Sequence, residues 1–233
     1  MKIAFISDIH GNYSALLAVF KKIQKLKVDK IYCLGDIVNY YYEPNKCIDL
    51  LKKNNVECIK GNHEKILFES LKNETKYNKY LRLYGKSIKI NLDKLKNNHL
   101  EYLKSLNFQK KITINGKKFL LAHGSPWKND FYLYPNTKKK WFDKISKYKY
   151  DFIILGHTHI PMNITLNNKK ILNPGSIGQP RNKKCGASWL ILETKKMKFQ
   201  FVRTNYSHKA LKKKIDKYDP ENLKISKYFK QCN

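Results

Sequence analysis

The first sixty residues alternate between short apolar runs and segments with apolar residues at helical spacing. The largely apolar runs at 2–7, 31–34 and 56–59 are typical of strands that are covered on both faces. Between them, apolar residues recur with a helical period over 13–27, and Pro44 is typical of the first turn of a second helix. This β-α-β-α-β order predicts parallel strands in an α/β fold.

The pattern changes after the third strand. Residues 65–108 are rich in lysine, helical in pattern and poor in turn signals, which predicts a helical insertion. From residue 110 the pattern indicates antiparallel strands, with a hairpin turn at Asn115-Gly116 and a helix near 135–147. The expected strands cover 112–114, 119–122, 152–155, 161–166, 169–172, 187–193 and 197–203. We interpret 1–233 as a single domain with a basic, partly helical tail over 207–233.

The charge balance is strongly basic, with 48 Lys and Arg against 18 Asp and Glu and a net charge of +30. Such a charge is compatible with a nucleic-acid partner. It is equally compatible with the lysine-rich composition of an A+T-rich genome, and the even spread of lysines along the chain favours this second explanation. No apolar stretch reaches the length of a membrane span, and the N-terminal apolar run is too short for a signal sequence. We therefore expect a cytoplasmic protein with no membrane partner.

Five short polar motifs each follow a predicted strand. They are Asp8-Ile9-His10, Gly35-Asp36, Gly61-Asn62-His63-Glu64, Ala122-His123-Gly124 and Gly156-His157-Thr158-His159. Because ligand sites in open α/β sheets gather at the carboxyl ends of strands, we expect these side chains to converge. Each motif alone is common by chance, but five in order at strand ends predict a metal site.

The donor types indicate which metals and which chemistry. Imidazoles mixed with carboxylate and amide oxygens suit two divalent transition metal ions, namely Mn, Fe, Co, Ni or Zn. Two carboxylates leave such a pair of ions with excess positive charge, which attracts a phosphate. A water molecule that bridges the ions is expected to lose a proton near neutral pH and to attack phosphorus.

The order of the motifs resembles the calcineurin-like metallophosphoesterase superfamily, whose pattern is D-x-H, G-D, G-N-H-[DE], H and G-H-x-H. Residues 7–12 (Ser-Asp-Ile-His-Gly-Asn) and 173–181 (Asn-Pro-Gly-Ser-Ile-Gly-Gln-Pro-Arg) resemble its small prokaryotic-type phosphodiesterase branch. The resemblance implies a four-layer α-β-β-α sandwich with two mixed sheets.

The resemblance also implies roles for individual residues. One ion would be held by Asp8, His10, Asp36 and His159, and the other by Asp36, Asn62, His123 and His157. Asp36 would bridge the two ions. His63 would not bind metal but would act as the general acid for the leaving group, with Glu64 as a candidate to orient it.

Several other residues have two explanations. Arg181 is suited either to bind a substrate phosphate or to form a structural pair. Asn12 is suited to touch the phosphate or, as we favour, to cap the helix that begins near Tyr13. We expect Tyr40–Tyr42 to pack beneath the insertion rather than to stack on a substrate. His99 and His208 are expected to be exposed on the surface.

The residues that follow the Gly35-Asp36 motif differ from those of one branch of this superfamily and disfavour some activities. Serine/threonine phosphoprotein phosphatases continue the G-D motif with a fixed Asp and Arg, whereas this chain has Asn39 and Tyr40. A phosphoprotein phosphatase or a symmetrical dinucleoside tetraphosphatase is therefore disfavoured. We expect a hydrolase of phosphoesters, foremost phosphodiesters, with a nucleotide as one candidate substrate. The alternatives are a nuclease and a non-catalytic scaffold like the retromer subunit of this fold, and the oligomeric state stays open.

Overall fold

The structure is a computed structural model that describes residues 1–182 and 185–222. Its strands are β1 (Lys2–Ile6), β2 (Lys30–Cys33), β3 (Glu57–Cys58), β4 (Gln109–Ile114), β5 (Lys117–Ala122), β6 (Phe152–Ile154), β7 (Met162–Leu166), β8 (Lys169–Asn173), β9 (Ala187–Glu193) and β10 (Lys198–Thr204). Its helices are α1 (Tyr13–Lys25), α2 (Pro44–Lys53), α3 (Asn62–Lys72), α4 (Glu74–Tyr84), α5 (Ser87–Lys94), α6 (Asn97–Ser105), α7 (Lys139–Ser146) and α8 (Lys209–Tyr218).

The strands form two mixed sheets of five strands each. The first has the order β10-β9-β1-β2-β3 and the second β4-β5-β6-β8-β7. As predicted, β1, β2 and β3 are parallel. Strand β9 pairs with β1 in antiparallel fashion, and β10 pairs with β9 in the same way. The expectation of antiparallel strands after residue 110 is correct for the β4–β5, β7–β8 and β9–β10 pairs. Strands β5, β6 and β8 run parallel, since α7 lies in the crossover between β5 and β6, and the edge strand β7 lies in the connection between β6 and β8.

Alternate side chains of β1 show how the layers stack. Ile3 and Phe5 pack in a core shared with residues of the second sheet, including Phe119, whose ring stacks on Phe5 at 6.5 Å between centroids. Ala4 and Ile6 instead pack in the cluster that contains the buried faces of α1 and α2. The apolar runs therefore cover both faces of this strand, as expected of an α-β-β-α sandwich.

The helical insertion consists of α3 to α6. It begins at Asn62 rather than near residue 65, so Asn62 and His63 lie on the first turn of α3. The helix α8 packs through Leu211 and Ile215 in a cluster with buried tyrosines. Residues 223–233 of the predicted basic tail lie outside the described residues. Within residues 1–182 and 185–222, no helix combines the length and the apolarity that a membrane span requires.

The surface position expected for His99 is wrong. This residue is buried on α6, where its Nδ1 accepts a hydrogen bond from the Lys96 backbone at 3.1 Å and its Nε2 lies 3.0 Å from the Asp49 carboxylate of α2. The imidazole therefore joins two helices. His208 is half-buried, with its ring 4.5 Å from the ring of Tyr206.

Candidate metal centre

Four strands and one helix deliver the predicted donors to one place. Asp8 follows β1, Asp36 follows β2, His123 follows β5, and His157 and His159 follow β6. The parallel pairs β1–β2 and β5–β6 bring the carboxyl ends of their strands together in each sheet. The N-terminus of α3 supplies the remaining polar groups.

The backbone at these donors is unusual. A left-handed conformation occurs at five of them, with φ of 56° at Asp8, 53° at His10, 55° at Asp36, 67° at His157 and 62° at His159. Residues with a Cβ seldom adopt it, and such residues cluster at functional sites. Backbone hydrogen bonds join the β1 and β2 loops, from Asp8 N to Gly35 O at 3.0 Å and from His10 N to Asp36 O at 2.9 Å. These bonds hold the strained turns in position.

The donor atoms fall into two groups that share one carboxylate. The first group consists of Asp8, His10, Asp36 and His159, and the second of Asp36, His123 and His157; within each group the ligand atoms all lie within 4.8 Å of one another. The amide oxygen of Asn62 lies 3.1 Å from His123 Nε2, beside the second group. The structure therefore brings together all seven residues that were expected to be metal ligands.

The hydrogen bonds of the imidazoles direct their free nitrogens into the centre. The Nδ1 atoms of His10, His123 and His159 lie 3.2, 2.7 and 2.7 Å from the backbone oxygens of Val38, Leu34 and Gln179, respectively. A carbonyl oxygen only accepts, so each Nδ1 carries a hydrogen, and the Nε2 of the neutral ring presents a lone pair. Within the described residues, the buried His157 Nε2 has no hydrogen-bond partner, and Asp36 Oδ2 lies 3.1 Å from His123 Nε2. These nitrogen and oxygen ligand atoms fit transition metal ions.

The charges of the centre also demand a cation. Burial opposes the ionisation of Asp8 and Asp36, yet the surrounding imidazoles hold the pKa of both carboxyls well below the usual range. Burial likewise opposes protonation of His123, but the Asp36 and Asp8 carboxylates outweigh it and raise the pKa of His123 to about 9. His123 thus keeps a proton because the carboxylates of Asp8 and Asp36 favour a positive charge beside them. Divalent ions would supply that charge instead.

His63 lies beside the centre and belongs to neither donor group. Its backbone N–H donates to Asp36 Oδ1 at 2.8 Å, and its ring centroid lies 4.8 Å from that of His10 and 4.9 Å from that of Tyr84. Within the described residues, its Nδ1 is buried and without a hydrogen-bond partner. Burial lowers the pKa of His63 to about 4, and the neighbouring Asp36 opposes the shift.

Glu64 has a structural task that the sequence did not reveal. Its fully buried carboxylate accepts backbone hydrogen bonds from Gly61 and Ile37, both at 2.7 Å, and from Asp36 at 3.0 Å. Both oxygens serve the backbone rather than the His63 ring, which corrects the expected role. Burial and the Asp36 charge raise the pKa of Glu64 to about 7. Glu64 therefore joins the β2 loop to the start of α3, where a Cβ at Gly61 would overlap the Asp36 carboxylate.

Comparison with known proteins agrees with this geometry. Residues 1–197 match the calcineurin-like phosphoesterase superfamily domain. The chain belongs to this superfamily. An uncharacterised protein of Methanocaldococcus jannaschii is 36% identical over an alignment of 234 residues with gaps included, and the alignment covers 92% of each chain. The resemblance found in the motifs is thus confirmed, and the chain is a metallophosphoesterase that hydrolyses phosphoesters.

Solved structures extend the comparison to the fold. A hypothetical protein of Pyrococcus horikoshii has a TM-score of 0.85 and 24% identity, with 96% of each chain covered. A metallophosphoesterase from Sphaerobacter thermophilus has a TM-score of 0.77 and 26% identity, with 93% of this chain and 94% of that chain covered. The α/β sandwich of the phosphoesterase is therefore shared across nearly the whole chain.

Both polar atoms of the Asn12 side-chain amide form hydrogen bonds with other groups of the phosphoesterase. Its oxygen accepts a hydrogen bond from Ala15 N at 3.1 Å, which caps α1 as favoured from the sequence. Its nitrogen donates to Gly178 O and to Tyr206 OH, both at 3.0 Å. These bonds give Asn12 a structural role beside the centre.

Arg181 and a group of tyrosines form the mouth of the phosphoesterase site. The Arg181 guanidinium lies 3.3 Å from both Tyr40 OH and Gln179 Oε1. The Tyr40 ring meets that of His10 edge to face at 4.7 Å, so this tyrosine lies at the site, whereas Tyr41 and Tyr42 are buried as expected. The Tyr132 ring lies 3.9 Å from that of His157. Sequence reasoning missed Tyr132, for which the aromatic run 131–134 after the His123 turn was the available signal.

Proposed function

We propose that this metallophosphoesterase hydrolyses phosphodiesters with two divalent transition metal ions. The observation that carries the proposal is the shared carboxylate of Asp36, which belongs to both donor groups. The ligands of the two ions would be Asp8, His10, Asp36 and His159 for one and Asp36, Asn62, His123 and His157 for the other. Their mixed nitrogen and oxygen donors suit Mn, Fe, Co, Ni or Zn.

The residues around the donors have distinct tasks in this proposal. When bound, the two ions would supply an activated water and positive charge for the phosphate oxygens. His63 donates a proton to the leaving oxygen once the negative charge of a bound phosphate has raised its lowered pKa, and the hydrogen bond from its backbone to Asp36 fixes its position. Arg181 donates hydrogen bonds to a phosphate oxygen at the mouth of the site. Asp36 is in turn positioned by Glu64.

Two neutral residues support a diester rather than a monoester. Tyr40 lies where phosphoprotein phosphatases have an arginine, and its phenol ring packs on His10 and His63. Asn39 lies where they have an aspartate, and its side chain donates to the His63 backbone oxygen at 3.1 Å. Tyr40 therefore adds no second guanidinium beside Arg181, which lies 3.3 Å from the Tyr40 hydroxyl, and a monoanionic diester needs less positive charge than a dianionic monoester.

One assay tests this function. With Mn²⁺ or Ni²⁺ added, we expect faster hydrolysis of bis-p-nitrophenyl phosphate than of p-nitrophenyl phosphate, and loss of both activities with a chelator. Absence of hydrolysis with every metal would favour a scaffold. Much faster cleavage of a single-stranded oligonucleotide, with a rate that falls steeply with salt, would favour the nuclease that the charge of +30 left open.

A further inference from the structure

A cleft opens beside the candidate centre, between the helical insertion and the loop that follows β5. Its volume is about 590 Å³, and its lining includes Asn62 and His157, two of the proposed ligands of the second ion. Small-molecule sites typically have volumes of about 300–1,000 Å³. A group esterified to a phosphate at the centre would therefore extend into a space of suitable size.

The walls of this cleft carry exposed apolar side chains. Leu83 is 45% exposed, Phe108 51% and Tyr132 46%, and all three line the cleft. Within the described residues, six large apolar side chains are exposed to a comparable degree, and half of them lie here. A concentration of apolar surface next to a polar centre marks a place where a ligand is bound.

The aromatic rings of the cleft are held in place by their neighbours. Tyr132 packs against the ring of His157 at 3.9 Å, and Tyr80 stacks on Tyr84 at 6.2 Å with an angle of 26° between the rings. Tyr84 also contacts the His63 ring. The aromatic lining thus runs from the cleft to the proposed proton donor, and it offers ring faces to a planar group.

One lysine of the cleft has no carboxylate partner in the described part of the chain. Lys65 pairs with Glu69 at 3.8 Å and Lys128 with Asp130 at 3.2 Å. The Lys79 ammonium instead lies 5.9 Å from the centroid of the Tyr80 ring. Lys79 is therefore available to bind an anionic or carbonyl group of a ligand, next to the aromatic wall.

We propose that this cleft binds the nucleobase of a nucleotide phosphodiester, stacked on the exposed ring of Phe108 and beside Tyr132, which is itself stacked with Tyr134, while the phosphorus lies at the metal centre. The inference rests on the proposed function for the position of the phosphorus. A base presents a planar π face to these rings and polar edges to Lys79, whereas an alkyl group would fill the apolar space without using either.

Calorimetric binding tests the cleft without requiring turnover. The Mn²⁺-loaded protein is titrated with AMP, ribose 5-phosphate and hexyl phosphate, which share a phosphate and differ in the attached group. We expect AMP to bind at least about tenfold more tightly than either of the others. Phe108→Leu should lower the affinity for AMP about fivefold or more, whereas Phe201→Leu, a matched change of an exposed ring on β10, should not.

Three results would overturn the inference. They are equal affinities for AMP and ribose 5-phosphate, equal affinities for AMP and hexyl phosphate, and an unchanged AMP affinity of the Phe108→Leu protein. Tight AMP binding by a protein that hydrolyses no phosphodiester would support the cleft and reject the proposed function instead, so the two failures are distinguishable.

Discussion

The Nε2 atoms of His10 and His159 face each other at 3.1 Å, although each ring already uses its Nδ1 hydrogen on a backbone carbonyl. Two lone pairs at this distance repel unless a proton or a cation lies between them. Two nitrogens that each bound one ion at about 2.1 Å would lie about 3.0–3.4 Å apart, for angles from the right angle to the tetrahedral angle. The spacing of the two imidazoles is therefore suited to a shared metal ion.

The shared carboxylate predicts a joint loss of metal. Asp36→Asn should abolish binding of both ions, because Asp36 belongs to both donor groups. Asp8→Asn, which alters the first group only, should retain the second ion. Elemental analysis after dialysis gives the stoichiometry of each variant. An Asp36→Asn protein with the full metal content would refute the bridging role.

The position of His63 predicts a loss of turnover without a loss of metal. His63→Ala removes the proposed proton donor and no ligand, so metal content should be unchanged. The rate with an alkyl leaving group should fall by about 10²–10⁴-fold, and the rate with p-nitrophenyl should fall less, because that leaving group needs little protonation. Equal losses for the two leaving groups would contradict general acid catalysis.

The buried Glu64 carboxylate predicts a coupling between stability and metal affinity. Glu64→Gln keeps one acceptor oxygen but places an NH₂ group against backbone N–H groups, which should lower the free energy of unfolding by about 1–3 kcal/mol. Because Glu64 holds the Asp36 backbone, Mn²⁺ affinity should fall as well. Urea unfolding and metal titration measure both. Glu101→Gln, an exposed change on α6, is the control and should alter neither.

Substitution of Arg181 distinguishes phosphate binding from a purely structural role of its guanidinium. If its guanidinium binds the substrate phosphate, Arg181→Ala should raise KM for a diester roughly 10–100-fold, with Arg181→Lys between this variant and the wild type. A structural pairing with Tyr40 and Gln179 would instead lower Tm and leave KM unchanged. Steady-state kinetics and thermal unfolding of the three proteins decide between them.

Glu43 predicts an acid-sensitive contact between the start of α2 and α8. Burial opposes its ionisation, but hydrogen bonds from Lys214 on α8 and Lys46 on α2 outweigh it and lower the pKa of Glu43. A lowered pKa stabilises the fold above the unfolded pKa of about 4.3, and this stabilisation disappears as the pH falls through the folded value.

Glu43→Gln should therefore reduce the free energy of unfolding by about 1–3 kcal/mol at pH 7, with a difference that vanishes well below pH 4. Urea titrations at both pH values measure this. Asp93→Asn removes an exposed pair with Lys89 and serves as the control, for which we expect little change at either pH. A Glu43→Gln effect that persists in acid would contradict the ion pairs as its cause.

The sequence predicted the elements and the donor set because both follow from local patterns. Helical spacing identifies α1, apolar runs identify β1 and β2, and parallel strands bring the motifs that follow them together. Contacts between residues that are far apart in the sequence could not be predicted. Glu64 binds a loop 27 residues away, and His99 binds Asp49, 50 residues away, so their roles depend on how α3 and α6 pack. The cleft was also missed, because separate segments of the chain supply Leu83, Phe108 and Tyr132.

The left-handed turns at five donors have a consequence for metal exchange. The free energy that such backbone conformations require is offset in part by the backbone hydrogen bonds that join the β1 and β2 loops. Turns held in this way limit how far the side chains of Asp8, His10 and Asp36 can move. Exchange of one ion for another should therefore follow the ligand preferences of the metals, with little movement of these loops.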